Sequence, residues 1–227
     1  MNDKQHTIKE KISVSGVGLH TGANVTLTIN PAPENHGYKF QRVDLKDKPI
    51  IDADVDLVVS TNRGTTLKKG DVEVHTIEHV LAAVHGLQID NALITIDGPE
   101  IPILDGSSKL YIEGIKSVGL QEQSAERDYL VLKENIKFED DEKHVEMLAV
   151  PDEEYRITVM VDYHSPLLGT QHATMYNIEE FENEIANCRT FVFVREVEQL
   201  YRAGLIKGGD VDNAIVMVDT EIEDAKL

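Results

Sequence analysis

The sequence predicts an α+β fold made of two similar halves, each a sheet followed by helices. Three observations support this: short β-like segments open each half, amphipathic helices follow them, and this order occurs twice in 227 residues. A chain of this length can form two cores of roughly 100 residues each. We therefore predict a first domain over 1–120 and a second domain, incomplete at its C-terminus, over 121–227, with their helical layers facing each other.

The first half has the pattern of a sheet with two helices. Its predicted strands are bounded by Gly, Pro, Asn and Asp residues and lie at Ile12–Val14, Val25–Ile29, Tyr38–Val43, Leu57–Val59, Thr65–Leu67 and Ala92–Ile96. A helix is predicted over Ile77–His85, with Thr76 as its N-cap and Gly86 just after its end. A second helix is predicted over Ser108–Ile115.

The second half repeats this order after a polar segment. Residues 119–127 are rich in Gln and Glu, which predicts a linker. Strands are predicted at Tyr129–Leu132, Val145–Val150, Arg156–Val161, Arg189–Val194 and Ala214–Val218. Asn177 caps one predicted helix, and another is predicted over Glu196–Ala203. The first half is completed by a strand–helix–strand segment, and the second half has no corresponding segment.

Composition and charge exclude several classes of function. With 22 Lys and Arg against 41 Asp and Glu, the formal net charge is −19, so the chain repels nucleic acid and anionic membrane surfaces. No apolar run approaches the roughly 20 residues of a transmembrane helix. The N-terminus lacks a signal-peptide pattern, and the single cysteine, Cys188, cannot form an internal disulfide. We therefore predict a soluble, cytosolic protein.

The motif whose residues are suited to catalysis is Val74-His75-Thr76-Ile77-Glu78-His79, at the start of the first predicted helix. It places a carboxylate beside an imidazole. Neutral imidazole is a common zinc ligand, and a neighbouring carboxylate that does not bind the metal can act as a base toward water. The motif therefore predicts zinc-dependent hydrolysis. In the structural alternative, Glu78 only complements the helix dipole and His79 is a buried, hydrogen-bonded histidine.

The same motif also matches His-x-x-Glu-His, the inverzincin metalloprotease pattern. That interpretation requires His75 and His79 to bind zinc from one helical face. With Thr76 as the N-cap, His75 would lie outside the helix and point elsewhere. The metalloprotease remains an alternative that the motif disfavours.

Seven short segments, taken together in their order along the chain, resemble one protein family. They are residues 16–22, 31–33, 76–79, 86–91, 98–107, 189–191 and 203–209. Together, from about Lys11 to Val218, they resemble the UDP-3-O-acyl-N-acetylglucosamine deacetylase family. The resemblance implies an enzyme of lipid A biosynthesis that uses one zinc ion to remove the N-acetyl group of a UDP-linked acylated glucosamine. Some members carry a fused hydroxyacyl-carrier-protein dehydratase, and the sequence leaves open whether this chain derives from such a fusion.

The resemblance implies roles for three residues at the reaction centre. His79 matches a zinc ligand of the family and Glu78 its general base. Thr190 matches a threonine that helps to hold the substrate carbonyl oxygen, a role suited to a hydroxyl donor. His75 receives no metal role, which weakens the metalloprotease alternative.

Four further residues match positions that surround the substrate. Leu19, Phe191 and Phe193 fall where the family lines the passage for the acyl chain, and His20 matches a possible substrate contact. On the residues alone, the apolar three are equally compatible with core packing, and His20 with a surface histidine.

The resemblance also implies residues that this sequence does not contain. The family's remaining ligands, a His and an Asp one helical turn apart, and a further catalytic His follow the strand that matches Ala214–Val218. A catalytic zinc site has three protein ligands and one open position. We therefore expect the chain alone to be inactive, and a non-catalytic UDP-sugar-binding fragment is a third interpretation.

Overall fold

A computed structural model describes residues 3–218 and confirms the α+β prediction. The first part contains, in chain order, β1 (Lys4–Ile8), β2 (Ile12–Val17), β3 (Asn24–Pro31), β4 (Tyr38–Arg42), β5 (Ile50–Asp52), β6 (Val58–Ser60), β7 (Thr66–Lys69), β8 (Val72–Val74), α1 (Glu78–Gly86), β9 (Ala92–Ile96), α2 (Lys109–Val118) and β10 (Leu120–Glu126). The second part contains β11 (Ile136–Asp140), β12 (Val145–Ala149), β13 (Ile157–Asp162), β14 (Thr170–Met175), β15 (Phe191–Phe193), α3 (Val194–Arg202) and β16 (Ile215–Met217).

The main sheet has five strands in the order β2-β3-β9-β4-β5. The central strand β9 pairs antiparallel with β3 and parallel with β4. In β3, Val25, Leu27 and Ile29 alternate with more exposed residues, and all three are at most 3% exposed. They share one core with the apolar faces of α1 and α2. Burial of each such side chain contributes roughly 1.5–3 kcal/mol relative to exposure.

The start of α1 differs from its predicted form. The predicted N-cap, Thr76, has a left-handed backbone (φ 61°), and its hydroxyl donates to Glu100 and accepts no N–H of the helix. No side-chain cap is present at Ile77, which immediately precedes α1. The N-cap prediction is therefore wrong: α1 begins one residue later than predicted, and the backbone of Thr76 does not have the extended form of an N-cap.

The end of α1 also differs, because Gly86 is its last helical residue rather than the residue beyond it. A Cβ at Gly86 would lie 2.0 Å from the ring of Phe181, so the close approach of that ring requires a glycine. Phe181 begins a π-helical turn, Phe181–Ile185, in the second half. Helical segments of the two halves thus meet at this point.

Residues 119–127 are not a linker. Their main part is β10, which pairs antiparallel with β1 at the start of the chain. Gln123 faces inward, accepting from the buried amide of Asn91 at 2.8 Å and donating to the carbonyl of Ala32 at 3.0 Å. Gln121, Glu122, Ser124 and Glu126 are exposed, as their polarity predicts, but the segment is a paired strand, and the linker prediction is wrong.

The second part consists of two hairpins and a strand–helix–strand unit. β11 pairs with β12 and β13 with β14, whereas β15 and β16 form a parallel pair joined by α3. Asn177 accepts from the Glu180 N–H at 3.2 Å as predicted, but the helical turn that it caps is a 3-10 turn. Tyr129–Leu132 forms no strand. The division into domains 1–120 and 121–227 stays a prediction.

A helix that crosses a membrane must be both long and apolar. Among residues 3–218, no helix combines the length and the apolar character needed to cross a membrane.

Candidate active site

Glu78 opens α1 and faces the loop between β6 and β7. Its Oε2 accepts the N–H of Thr65 at 2.9 Å, which fixes the carboxylate. A Cβ at the neighbouring Gly64 would lie 3.5 Å from Glu78 Oε1 and 3.7 Å from His20 Nε2. The Glu78 and His20 side chains therefore lie close to the same stretch of loop backbone.

His79 follows in the first turn of α1 and is mostly buried. Burial lowers the pKa of its imidazole, against the opposing effects of the Glu78 and Asp105 carboxylates. The ring is therefore neutral near pH 7, the form that binds zinc. The hydroxyl of Ser108 donates to the backbone carbonyl of His79 at 3.0 Å, so the loop before α2 is tied to this turn.

Thr190 reaches the same loop from the second half of the chain. Its N–H donates to the carbonyl of Gly106 at 2.8 Å, and Arg189 Nε donates to the carbonyl of Asp105 at 2.7 Å. Asp105 is also, after Glu78, the second of the two carboxylates that act to raise the pKa of His79. The loop over 105–108 thus connects the start of α1 with Thr190, although 111 positions separate His79 from Thr190 in the sequence.

A largely apolar cavity of about 220 Å³ opens beside Thr190. Its walls come from both halves of the chain and consist of Leu19, His20, Arg63, Thr190, Phe191, Val192, Val197, Leu200, Ile206, Gly209, Asp210, Val211, Ala214 and Val216. Four of the seven predicted site residues are therefore among its lining residues. Phe193 is not a lining residue, since it is buried and packs edge-on against Phe191 at 5.7 Å between ring centroids.

His20 connects three loops at the cavity wall. Its Nδ1 accepts from the Ile206 N–H at 3.5 Å, so Nε2 carries the proton and donates to the carbonyl of Arg63 at 2.8 Å. The backbone carbonyl of His20 accepts from the Lys207 N–H at 3.3 Å. His20 is thus a partly exposed, hydrogen-bonded residue at the cavity wall, and its contact with substrate stays a prediction.

His75, the second ligand of the metalloprotease alternative, lies before α1. Its Nδ1 is 3.0 Å from the hydroxyl of Thr66 and its Nε2 is 3.6 Å from Glu73. His75 and His79 therefore do not form a pair of ligands on one helical face.

Sequence reasoning missed an ion pair beside the cavity. Arg63 Nη2 lies 2.6 Å from Glu196 Oε1, which joins the β6–β7 loop to the first turn of α3. The Arg63 guanidinium lowers the pKa of Glu196. Nothing local signals this pair, because its members are 133 positions apart.

The second missed residue is Glu100, which is 0% exposed. Its carboxylate accepts hydrogen bonds from the backbone of His20 and Thr21 and from the hydroxyls of Thr21 and Thr76. Burial alone would raise the pKa of Glu100, but these hydrogen bonds outweigh it and the pKa is lowered. A glutamate inside the apolar run Pro99-Glu100-Ile101-Pro102-Ile103 is the signal that could have identified it.

The lowered pKa of Glu100 predicts an acid-sensitive contribution to stability. A carboxylate whose pKa is depressed by folding stabilises the protein above its unfolded-state pKa, and this contribution is lost as the pH falls through the folded-state pKa. The free energy of unfolding of wild type should therefore exceed that of Glu100→Gln at about pH 7, and the gap should narrow toward about pH 4. Urea unfolding of both proteins across this range measures the gap, and a gap that is constant with pH would contradict the prediction.

The side chains of the described residues can be tested for a metal site. Within residues 3–218, no group of three or more His, Cys, Asp or Glu side chains is close enough together to hold a metal ion. His79 has the neutral imidazole that zinc requires, so it fits as one ligand.

Fold and site together define an α+β protein in which the start of α1 lies near an apolar cavity that residues of both halves line. Comparison with known proteins identifies its family. Residues 5–227 match the model of the UDP-3-O-acyl N-acetylglycosamine deacetylase family, and the chain belongs to that family.

Two curated relatives show how much of a known protein the chain covers. It is 50% identical over 219 residues to the bifunctional enzyme LpxC/FabZ of Bacteroides thetaiotaomicron, covering 96% of this chain and 48% of the relative. It is 42% identical over 217 residues to the UDP-3-O-acyl-N-acetylglucosamine deacetylase of Methylococcus capsulatus, covering 94% of this chain and 71% of that protein. The chain thus spans about half the length of the bifunctional relatives it matches.

Proposed function

We propose that the protein carrying this chain is a zinc-dependent deacetylase of lipid A biosynthesis. Its substrate would be UDP-3-O-(3-hydroxyacyl)-N-acetylglucosamine, from which it hydrolyses the N-acetyl group. One observation carries the proposal: a fixed carboxylate and a neutral imidazole at the start of α1 are linked by the 105–108 loop to Thr190, which lines an apolar cavity. The family and the names of its members support the same chemistry.

Glu78 is the proposed general base. Its carboxylate is oriented by the Thr65 N–H and is available to take a proton from the attacking water. A zinc ion held by His79 and further ligands would supply Lewis acidity toward water and the amide carbonyl. Thr190 would donate its hydroxyl to the carbonyl oxygen as that oxygen gains negative charge. Water would lose a proton to Glu78 and add to the acetyl carbon, after which the C–N bond breaks. The sugar nitrogen would gain its proton from the further catalytic His that the resemblance implies, so the products are acetate and the free-amine UDP-sugar.

The apolar cavity is the proposed site for the acyl chain. Leu19 and Phe191 line it, and the buried Phe193 supports Phe191 by an edge-on ring contact. Each methylene group that leaves water there would contribute about 0.8 kcal/mol to binding. His20 lies at the cavity wall, where it would contact the polar part of the substrate next to the chain. A cytosolic location remains part of the proposal.

We further propose that the 227-residue chain alone is inactive. A catalytic zinc site has three protein ligands, and a single imidazole does not hold the ion tightly. His79 would need partners from outside residues 3–218.

Zinc affinity tests the assignment of His79. We expect the full protein that carries this chain to bind one zinc ion tightly, His79→Ala to lose that affinity, and His75→Ala to keep it. The reason is that His79 is the proposed ligand, whereas His75 hydrogen-bonds to Thr66 away from α1. Competition with a chromogenic chelator measures the affinities of all three proteins and of the 227-residue chain.

The same experiment distinguishes the alternatives. Loss of zinc in both His75→Ala and His79→Ala would support a metalloprotease site instead. Tight zinc binding by the 227-residue chain that survives His79→Ala would refute the proposed ligand. Binding of UDP-sugar without zinc and without acetate release would favour the non-catalytic module.

A further inference from the structure

Glu100 is a buried carboxylate whose described hydrogen-bond partners are all uncharged. The backbone N–H groups of His20 and Thr21 donate to it at 2.9 and 2.7 Å. The hydroxyls of Thr21 and Thr76 donate at 2.7 and 2.8 Å. Burial of an ionised carboxylate is unfavourable unless such donors replace its water. The four donors therefore converge on the Glu100 carboxylate and replace the water that it would bind if exposed.

The carboxylate of Glu100 binds two different parts of the cleft. Oε1 accepts both the Thr76 hydroxyl and the His20 N–H, and Thr76 lies two residues before Glu78 with φ 61°. Oε2 accepts both donors of Thr21, in the loop that carries Leu19 and His20 to the cavity wall. One carboxylate thus joins the entry to α1 with the wall of the cavity.

The backbone around Glu100 allows little freedom in this arrangement. The His75 N–H donates to Pro99 O at 2.9 Å and the Ile101 N–H donates to His75 O at 3.1 Å, so the segment pairs with the residues just before α1. A Cβ at Gly18 would lie 2.5 Å from Glu100 Oε2, so the cavity loop approaches the carboxylate through a glycine. Movement of the carboxylate would therefore shift both elements.

We propose that Glu100 is a positioning residue that sets the first turn of α1, with Glu78 and His79, against the cavity wall formed by Leu19 and His20. This inference rests on the proposed function, because it assigns the base and the acyl-chain wall to one shared support. Glu100 has no contact with the reacting atoms. It acts through Thr76 on one side and through the backbone of His20 and Thr21 on the other.

Two threonine variants separate the effect of Glu100 on the start of α1 from its effect on the cavity wall. Thr76→Val removes the hydroxyl bond to Oε1, and we expect kcat and zinc affinity to fall about tenfold, as when an outer-shell partner is lost, with KM retained. Thr21→Val removes a hydroxyl bond to Oε2, and we expect KM for the acylated substrate to rise roughly tenfold with kcat retained. Glu100→Gln, which loosens both sides, should change kcat and KM together. Thr76→Ser and Thr21→Ser keep the hydroxyls and should restore the parameters that their valine counterparts lose.

A core variant provides the control for stability alone. Ile94→Val lies in the central strand β9, is fully buried, and contacts no part of the Glu100 network through a hydrogen bond. It should lower the urea concentration at the midpoint of unfolding while kcat and KM stay at wild-type values. If Thr76→Val, Thr21→Val and Glu100→Gln behave like Ile94→Val, Glu100 only stabilises the fold and the proposal is wrong.

Amide hydrogen exchange decides the question independently of activity. In the full protein, Thr76→Val should accelerate exchange most at residues 81–84, whose amides form the first hydrogen bonds of α1, and Thr21→Val should accelerate it most at residues 18–22. Equal acceleration across the chain in both variants would overturn the proposal. If the wild-type protein had no deacetylase activity, the proposed function would be refuted. The exchange pattern would still support or overturn the positioning role of Glu100.

Discussion

Replacing Glu78 by Gln is expected to lower kcat for acetate release by about 100- to 10,000-fold, the contribution of a general base. The amide oxygen can still accept the Thr65 N–H, so the side chain should keep its place. The amide cannot take a proton from water at neutral pH. Because Glu78 is not a proposed ligand, zinc affinity should stay close to that of wild type. Initial rates and chelator competition on the full protein measure both quantities.

Glu73→Gln is the matched control for that substitution. Glu73 lies on β8 near the same helix start but forms a surface ion pair with Lys68 at 2.6 Å. Surface pairs contribute little, about 0–1 kcal/mol, so kcat should hardly change. A Glu78→Gln protein that keeps kcat within a few-fold of Glu73→Gln would exclude Glu78 as the base.

Gly106→Ala is expected to produce the largest loss of stability among single glycine substitutions at the site. Gly106 has φ 83°, and an added Cβ would lie 2.0 Å from the carbonyl oxygen of Asn213. The left-handed backbone costs an L-residue about 1–2 kcal/mol, and forcing an atom into packed backbone costs about 1–3 kcal/mol more. We expect the free energy of unfolding to fall by roughly 2–5 kcal/mol in urea titrations.

Gly37→Ala separates these two contributions. Gly37 has a similar φ of 67°, but an added Cβ there would meet nothing within 4 Å. Only the backbone cost of about 1–2 kcal/mol should remain. Since Thr190 donates its N–H to Gly106, the Gly106→Ala protein should also lose kcat, whereas Gly37→Ala should not. Equal losses of stability in the two variants would show that the contact with Asn213 carries no energetic weight.

Sequence patterns predicted four of the five strands of the main sheet, β2, β3, β4 and β9, and missed the short edge strand β5. In β3 the alternation from Val25 to Ile29 is repeated in the burial of these residues, and the pattern of α2 is equally regular. The cap of α1 was mispredicted because Thr76 has a left-handed backbone and its hydroxyl donates to Glu100, a buried acceptor 24 positions away. Short-range rules cannot weigh such a partner.

The site was predictable to a different extent for each residue. Glu78 and His79 stand out as a motif because their chemistry lies in neighbouring positions. Thr190 depended on family resemblance, since its connection to the 105–108 loop is visible only in three dimensions. The Arg63–Glu196 pair and the inward-facing Gln123 carried no usable signal, because ordinary polar residues acquire their meaning from partners far along the chain.

The pairing of β1 with β10 has a consequence for how the protein is made. The first strand leaves the ribosome about 110 residues before its partner, which at roughly 5–20 residues per second is a wait of roughly 6–22 s. During that time the inward-facing Ile8 lacks the neighbour, Leu120, that later lies opposite it. Lys4 is the first residue of this unpaired strand and Lys9 follows its last residue. Charged residues at the ends of an unpaired strand oppose its association with other nascent chains. Arrival of β10 therefore sets the earliest moment at which the first half can close.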